Sequence, residues 1–184
     1  VVFWGLSAAA QVTPAPEPVY IAPPIPTPQP LVGWMLRLAE VGPDDVVMDL
    51  GCGDGRIVIT AARDFGASGI CLDLDQRQLE IARDNARVAG VEDRIRFVQA
   101  DAMQADVREA TVVTLYLGMR AHQQLAELIE PQMAPGERVV THQFPIEAWT
   151  PSMTISVRDE QRFMRDAMVY VIGQHHVPVR SPGG

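Results

Sequence analysis

The run from Val46 to Arg56, reading V-V-M-D-L-G-C-G-D-G-R, sets the narrowest limits on what this chain can become. Branched and apolar residues lead into a turn of the form D-x-G-x-G-x-G, and an apolar helical stretch follows. Gly51, Gly53 and Gly55 let the backbone adopt φ > 0 and let a ligand approach the main chain closely. A helix that starts just after the turn aims unpaired N–H groups at that ligand. The pattern predicts the first strand–loop–helix of a doubly wound α/β domain, which binds nucleotide-like ligands beyond the carboxyl ends of its strands.

The ligand is not a dinucleotide by this pattern. G-x-G-x-x-G fails because Arg56 stands where the third glycine belongs, which leaves an NAD-dependent oxidoreductase as the weakest contender. No G-K-[ST] follows, so a P-loop is excluded too. Asp49 precedes the turn and Asp54 lies within it. Those carboxylates oppose a pyrophosphate and suit a ligand that carries an ammonium and a sulfonium. S-adenosylmethionine (SAM) has both and has no phosphate.

Two further acids fall at successive strand ends. Gly69 to Asp73 reads as the second strand, and a carboxylate at its end can accept both ribose hydroxyls. Ile95 to Gln99 reads as the third, followed by Asp101, which can accept the adenine amino group while apolar neighbours cover the ring. The residues expected to hold the cofactor are Asp49, Gly51, Cys52, Gly53, Asp54, Asp73, Leu74, Asp101, Ala102 and Leu115. Tyr116, at the end of the fourth strand, is placed in the acceptor channel, with packing under a helix as the competing role.

These residues make the chain resemble a class I, seven-stranded SAM-dependent methyltransferase. The glycine turn, Asp73 and Asp101 match that family's first three cofactor motifs. The resemblance implies a Rossmann-like, doubly wound, mostly parallel sheet that ends in an antiparallel hairpin. Ile25-Pro26-Thr27-Pro28 with Leu31-Val32 and Met35-Leu36 resembles the V-P-T-P lead-in of one subgroup. Thr114-Leu115-Tyr116-Leu117 and Thr141-His142-Gln143-Phe144 with Trp149 resemble its T-L-Y-L and S-H-D-F…W stretches. That subgroup comprises bacterial relatives of the mitochondrial protein-lysine methyltransferases that act on the adenine nucleotide translocase and the ATP synthase c subunit. Pro24, Gly118-Met119 and Gln143 depart from its pattern.

The resemblance implies methyl transfer to an amine, foremost a protein lysine. A small-molecule N- or O-methyltransferase and a catalytically silent SAM-binding module are the alternatives. Such transfer needs alignment and dehydration more than a catalytic triad, and no triad is visible.

The rest of the chain bounds the partners and the compartment. With 184 residues there is room for one domain, and a net charge of −8 disfavours nucleic acid. All 15 basic residues are arginine. Cys52 and Cys71 read as free thiols, because a bridge between them would distort the pocket. Four histidines lack ligand spacing, so no metal site is expected, and His175-His176 reads as a surface pair.

Residues 1–11 resemble the end of an export signal or a membrane anchor, and 12–28 a proline-rich arm. The domain itself is placed at 29–175, with a tail at 176–184. The compartment therefore reads two ways, cytoplasmic or membrane-associated in a bacterium.

Overall fold

The computed structural model describes residues 25–176. The expected export-signal remnant, most of the proline-rich arm and nearly all of the tail lie outside those residues. A lead-in helix, α1 (Gln29–Leu38), begins after Pro28 with Pro30 in its first turn, where a missing N–H costs nothing. Its apolar face, Leu31, Val32, Met35 and Leu36, is fully buried and packs against the second helix and the last strand.

Five strands then alternate with helices in the order the sequence predicts. They are β1 (Val46–Leu50), β2 (Ser68–Asp73), β3 (Ile95–Gln99), β4 (Val112–Leu115) and β5 (Arg138–His142). Helix α2 (Arg56–Phe65) follows β1, α3 (Gln76–Val88) follows β2 and α4 (Met119–Ile129) follows β4. Only a single 3₁₀ turn at Ala102–Gln104 punctuates the β3–β4 connection. Strands β6 (Met153–Arg158) and β7 (Met164–Val171) complete one seven-stranded sheet ordered 3-2-1-4-5-7-6. β7 inserts antiparallel between β5 and β6, so the expected hairpin is present and its second strand is the one joined to the sheet.

The reversal of strand order between β1 and β4 opens a crevice at the carboxyl end of the sheet. Under it lies a core that includes Leu50, Leu72, Leu115 and Leu125, and a second layer holds α1 against Val47, Val112 and Val140. Glycine at 55 is required sterically as well as conformationally. Its φ is +78°, and a Cβ there would sit 2.9 Å from the Cβ of Ala82, so it lets α2 and α3 close on each other. No helix among the described residues is long and apolar enough to cross a membrane.

Two sequence expectations need correction. Cys52 and Cys71 are disulfide-bonded, with Cα atoms 5.3 Å apart. The turn after β1 folds back along β2, where the Gly51 and Cys52 N–H groups both donate to the Leu72 carbonyl (2.8 and 3.0 Å). That places Cys52 beside Cys71 without displacing the glycines. His175 is not on the surface either: it is 2 % exposed and rests against the Trp149 ring, while His176 stays in solvent.

Candidate functional site

The crevice forms a cavity of about 320 Å³, at the lower end of the range for small-molecule sites. Its walls come from the lead-in (Ile25, Pro26, Thr27), the glycine turn, the ends of β2 and β3, and Tyr116 and Leu117 after β4. Gly51 (φ +80°) faces Leu117, whose Cδ2 would lie 2.6 Å from an added Cβ. Gly53 (φ +53°) has no neighbouring atom of the described residues within 4 Å of that position, so its missing side chain leaves room for a ligand.

Asp73 fixes the turn. One carboxylate oxygen accepts from the Gly53 N–H (2.9 Å) and the other from the Asp75 N–H (3.0 Å). An ionised carboxylate has about four acceptor positions, so two remain for a ligand's hydroxyls. Asp101 accepts from the Met103 N–H (2.9 Å) at the start of the 3₁₀ turn, with Ala100 and Ala102 beside it in the cavity wall. Gln78, in the first turn of α3, also lines the cavity.

Asp49 is buried beneath the turn and accepts from the Thr114 hydroxyl (2.6 Å). Burial pushes its pKa up to about 7 against that hydrogen bond, and the charges of Asp73 and Asp54 push the same way. An approaching cation would reverse the effect and favour the carboxylate. Asp54 is held differently. Burial raises its pKa, but the hydrogen bonds and charge of Arg56 outweigh it and keep the carboxyl below its ordinary range. The Arg56 Nε donates to Asp54 at 2.9 Å, and its Nη1 donates to the Thr27 carbonyl at 2.8 Å.

The expected residues are therefore brought together with one exception. Asp49, Gly51, Cys52, Gly53, Asp54, Asp73, Leu74, Asp101 and Ala102 line one cavity, and Tyr116 borders it. Leu115 does not line it. Its side chain is fully buried in the core, because alternation along β4 turns it away from the crevice.

Residues beyond that set also shape the site. Beside Tyr116 lies His142, their ring centres 3.8 Å apart, and its Nδ1 is 3.1 Å from the Thr27 hydroxyl. The ring is fully buried, and its Nε2 has no hydrogen-bond partner among the described residues. Burial pushes the His142 pKa down to about 4, helped by the nearby Arg165 and His122 and opposed by Asp166. The next residue, Gln143, is a non-glycine held at φ +68°, a conformation that costs energy and recurs near functional sites. His122 accepts from the Leu117 N–H (3.1 Å) and pairs with the Phe144 carbonyl (2.8 Å), clamping the loops after β4 and β5 together.

The histidines also depart from the expectation of no ligand set. Glu130, His175 and His176 each bring one potential ligand atom within 4.8 Å of the others. Spacing could not reveal this, since 45 residues separate Glu130 from His175.

Three comparisons bear on this geometry. Residues 49–153 match the family model of the ANTKMT methyltransferase domain. A protein-lysine N-methyltransferase of Saccharolobus islandicus is 40 % identical over 154 residues, 83 % of this chain and 95 % of that protein. The adenine nucleotide translocase lysine N-methyltransferase of Mus musculus is 29 % identical over 105 residues, 57 % of this chain and 46 % of that protein. Among solved structures, an RNA methyltransferase of Salinibacter ruber bound to S-adenosyl-L-homocysteine superposes with TM-score 0.77 at 42 % identity, covering 84 % of this chain and 97 % of that one.

Proposed function

This chain belongs to the ANTKMT methyltransferase-domain family and is a SAM-dependent methyltransferase, and on that premise we propose that its acceptor is the ε-amine of a lysine in another protein. The observation that carries the proposal is the match along almost the whole of a protein-lysine N-methyltransferase. The site supports it from the other side. The connections after β3 and β5 carry no α-helix, and Ile25, Leu74 and Met119 offer exposed apolar surface near that end of the sheet.

The cavity suits the cofactor by its donor set. Asp73 would take the ribose hydroxyls and Asp101 the adenine amino group. The main chain at Gly51 and Gly53, over Asp49, would take the methionine end. SAM supplies a methyl group activated by its sulfonium. The lysine nitrogen must arrive without its third hydrogen, so a desolvating wall that lowers its pKa is part of the chemistry. Tyr116 offers such a wall, with the Phe144 and neutral His142 rings packed against it.

The Salinibacter protein's description raises an RNA acceptor as a second reading. A net charge of −8 weighs against it, because RNA binding draws on neutralised phosphates. The chain has no lysine, so lysine methylation detected in an assay must come from another protein. Incubation with radiolabelled SAM and a host lysate should label discrete protein bands that yield methyl-lysine on hydrolysis. Label confined to RNA or to small molecules would overturn the proposal.

A further inference from the structure

At the far end of the sheet from the cofactor cavity, the chain leaving β7 meets the end of α4. β7 runs against its neighbours, so its last residues lie beside the start of β5, where Val171 pairs with Arg138. There the Nε2 atoms of His175 and His176 approach the same Glu130 oxygen, at 3.2 and 2.7 Å. We propose that Glu130, His175 and His176 form a binding site for one zinc-class divalent ion.

The donors have the right chemistry. Two imidazole nitrogens and a carboxylate suit a borderline metal such as Zn²⁺ and leave a fourth position for water. All three ligand atoms lie within 4.8 Å of one another, so a shift of rotamers can bring them around one ion. His175 is also held as a ligand would be. Its ring is 4.3 Å from the Trp149 ring, its carbonyl accepts from the Thr150 N–H (2.7 Å), and its Nδ1 lies 3.2 Å from the Val171 carbonyl. The Gly173 N–H donates to that same Nδ1 (3.2 Å), so in the metal-free chain Nε2 carries the ring proton and faces Glu130 with it. Zinc would displace that proton, the ring passing to the Nδ1–H tautomer that donates to the Val171 carbonyl, the outer-shell arrangement common to metal-bound histidines. The ion would join the end of α4 to the chain after β7.

Competing ligands are few. The other two histidines, His122 and His142, are fully buried, and both cysteines are in the disulfide. Calorimetric titration of untagged protein with ZnCl₂ at pH 7.5 should give one site per chain. At zinc one hundredfold above Kd, Tm should rise by roughly 5–10 °C. Glu130→Gln and His176→Asn, both at partly exposed positions, should each weaken zinc at least tenfold while leaving the metal-free Tm within about 2 °C. Absence of binding, or binding unchanged in both variants, would overturn the proposal. Because the site is remote from the cavity, SAM affinity in these variants should match the parent, and this test stands whatever the acceptor proves to be.

Discussion

The carboxylate of Asp73 reaches back 20 residues to accept the Gly53 N–H at 2.9 Å, so the residue placed to grip a ribose also shapes the glycine turn. Asp73→Ala should therefore lose two things at once, the ligand's hydroxyl partners and the turn's anchor. Charge-assisted hydrogen bonds contribute about 1.5–3 kcal/mol each, which sets the expected loss of SAM affinity at roughly 10- to 100-fold or more. Equilibrium binding to the purified variant measures it, and unchanged affinity would refute the ribose assignment.

Asp49 makes cofactor binding pH-dependent. Its pKa near 7 without ligand means that the cation is met by a carboxylate carrying a proton part of the time. Binding should expel that proton, and affinity should rise with pH up to about tenfold between about pH 6 and 8. The folded-state pKa is raised, so the same group favours the apo fold at low pH, and that contribution is lost as pH climbs from about 4 toward 7. Titrating SAM at several pH values in Asp49→Asn should give a flatter profile.

His142 touches Thr27 and Tyr116, which border the cavity, and so acts by positioning them. His142→Asn should leave SAM affinity within about threefold and lower turnover roughly 10- to 100-fold, the scale expected when reacting groups are displaced by about 1 Å. Equal losses in cofactor affinity and turnover would instead indicate a general structural role. The measurement is steady-state kinetics with SAM and acceptor varied separately.

The Cys52–Cys71 bridge closes a short loop that contains Gly53, Gly55 and α2. A loop of this length is expected to contribute about 3 kcal/mol through the unfolded chain. Cys52→Ser paired with Cys71→Ser should lower Tm by roughly 6–12 °C, read by calorimetry against the oxidised parent. SAM affinity should fall as well, since Cys52 lines the cavity.

How much of this is legible in the sequence depends on whether the information is local. β2 and β3 end at Asp73 and Gln99 as expected, because apolar runs bounded by acids act over a few positions. The glycines, Asp73 and Asp101 converge because successive strands of a parallel sheet end at one edge. Leu115 departs from its expected place because a strand-end position does not fix which way its side chain points. The disulfide and the Glu130–His175 contact escape a sequence reading for a common reason: each depends on where two distant segments cross. His142 and Arg56 are visible as residues, but their ties to Thr27 appear only once the lead-in folds over the turn.

The bare connections after β3 and β5 carry a last consequence. Methyl transfer goes faster where bulk water is kept out, yet among the described residues no long helix covers the Tyr116 side of the crevice. On the proposed protein-lysine reading, the acceptor itself supplies that cover. Catalysis and recognition become one event, and an isolated lysine or short peptide should be a poor substrate even where its side chain fits, because it cannot dry the site it enters.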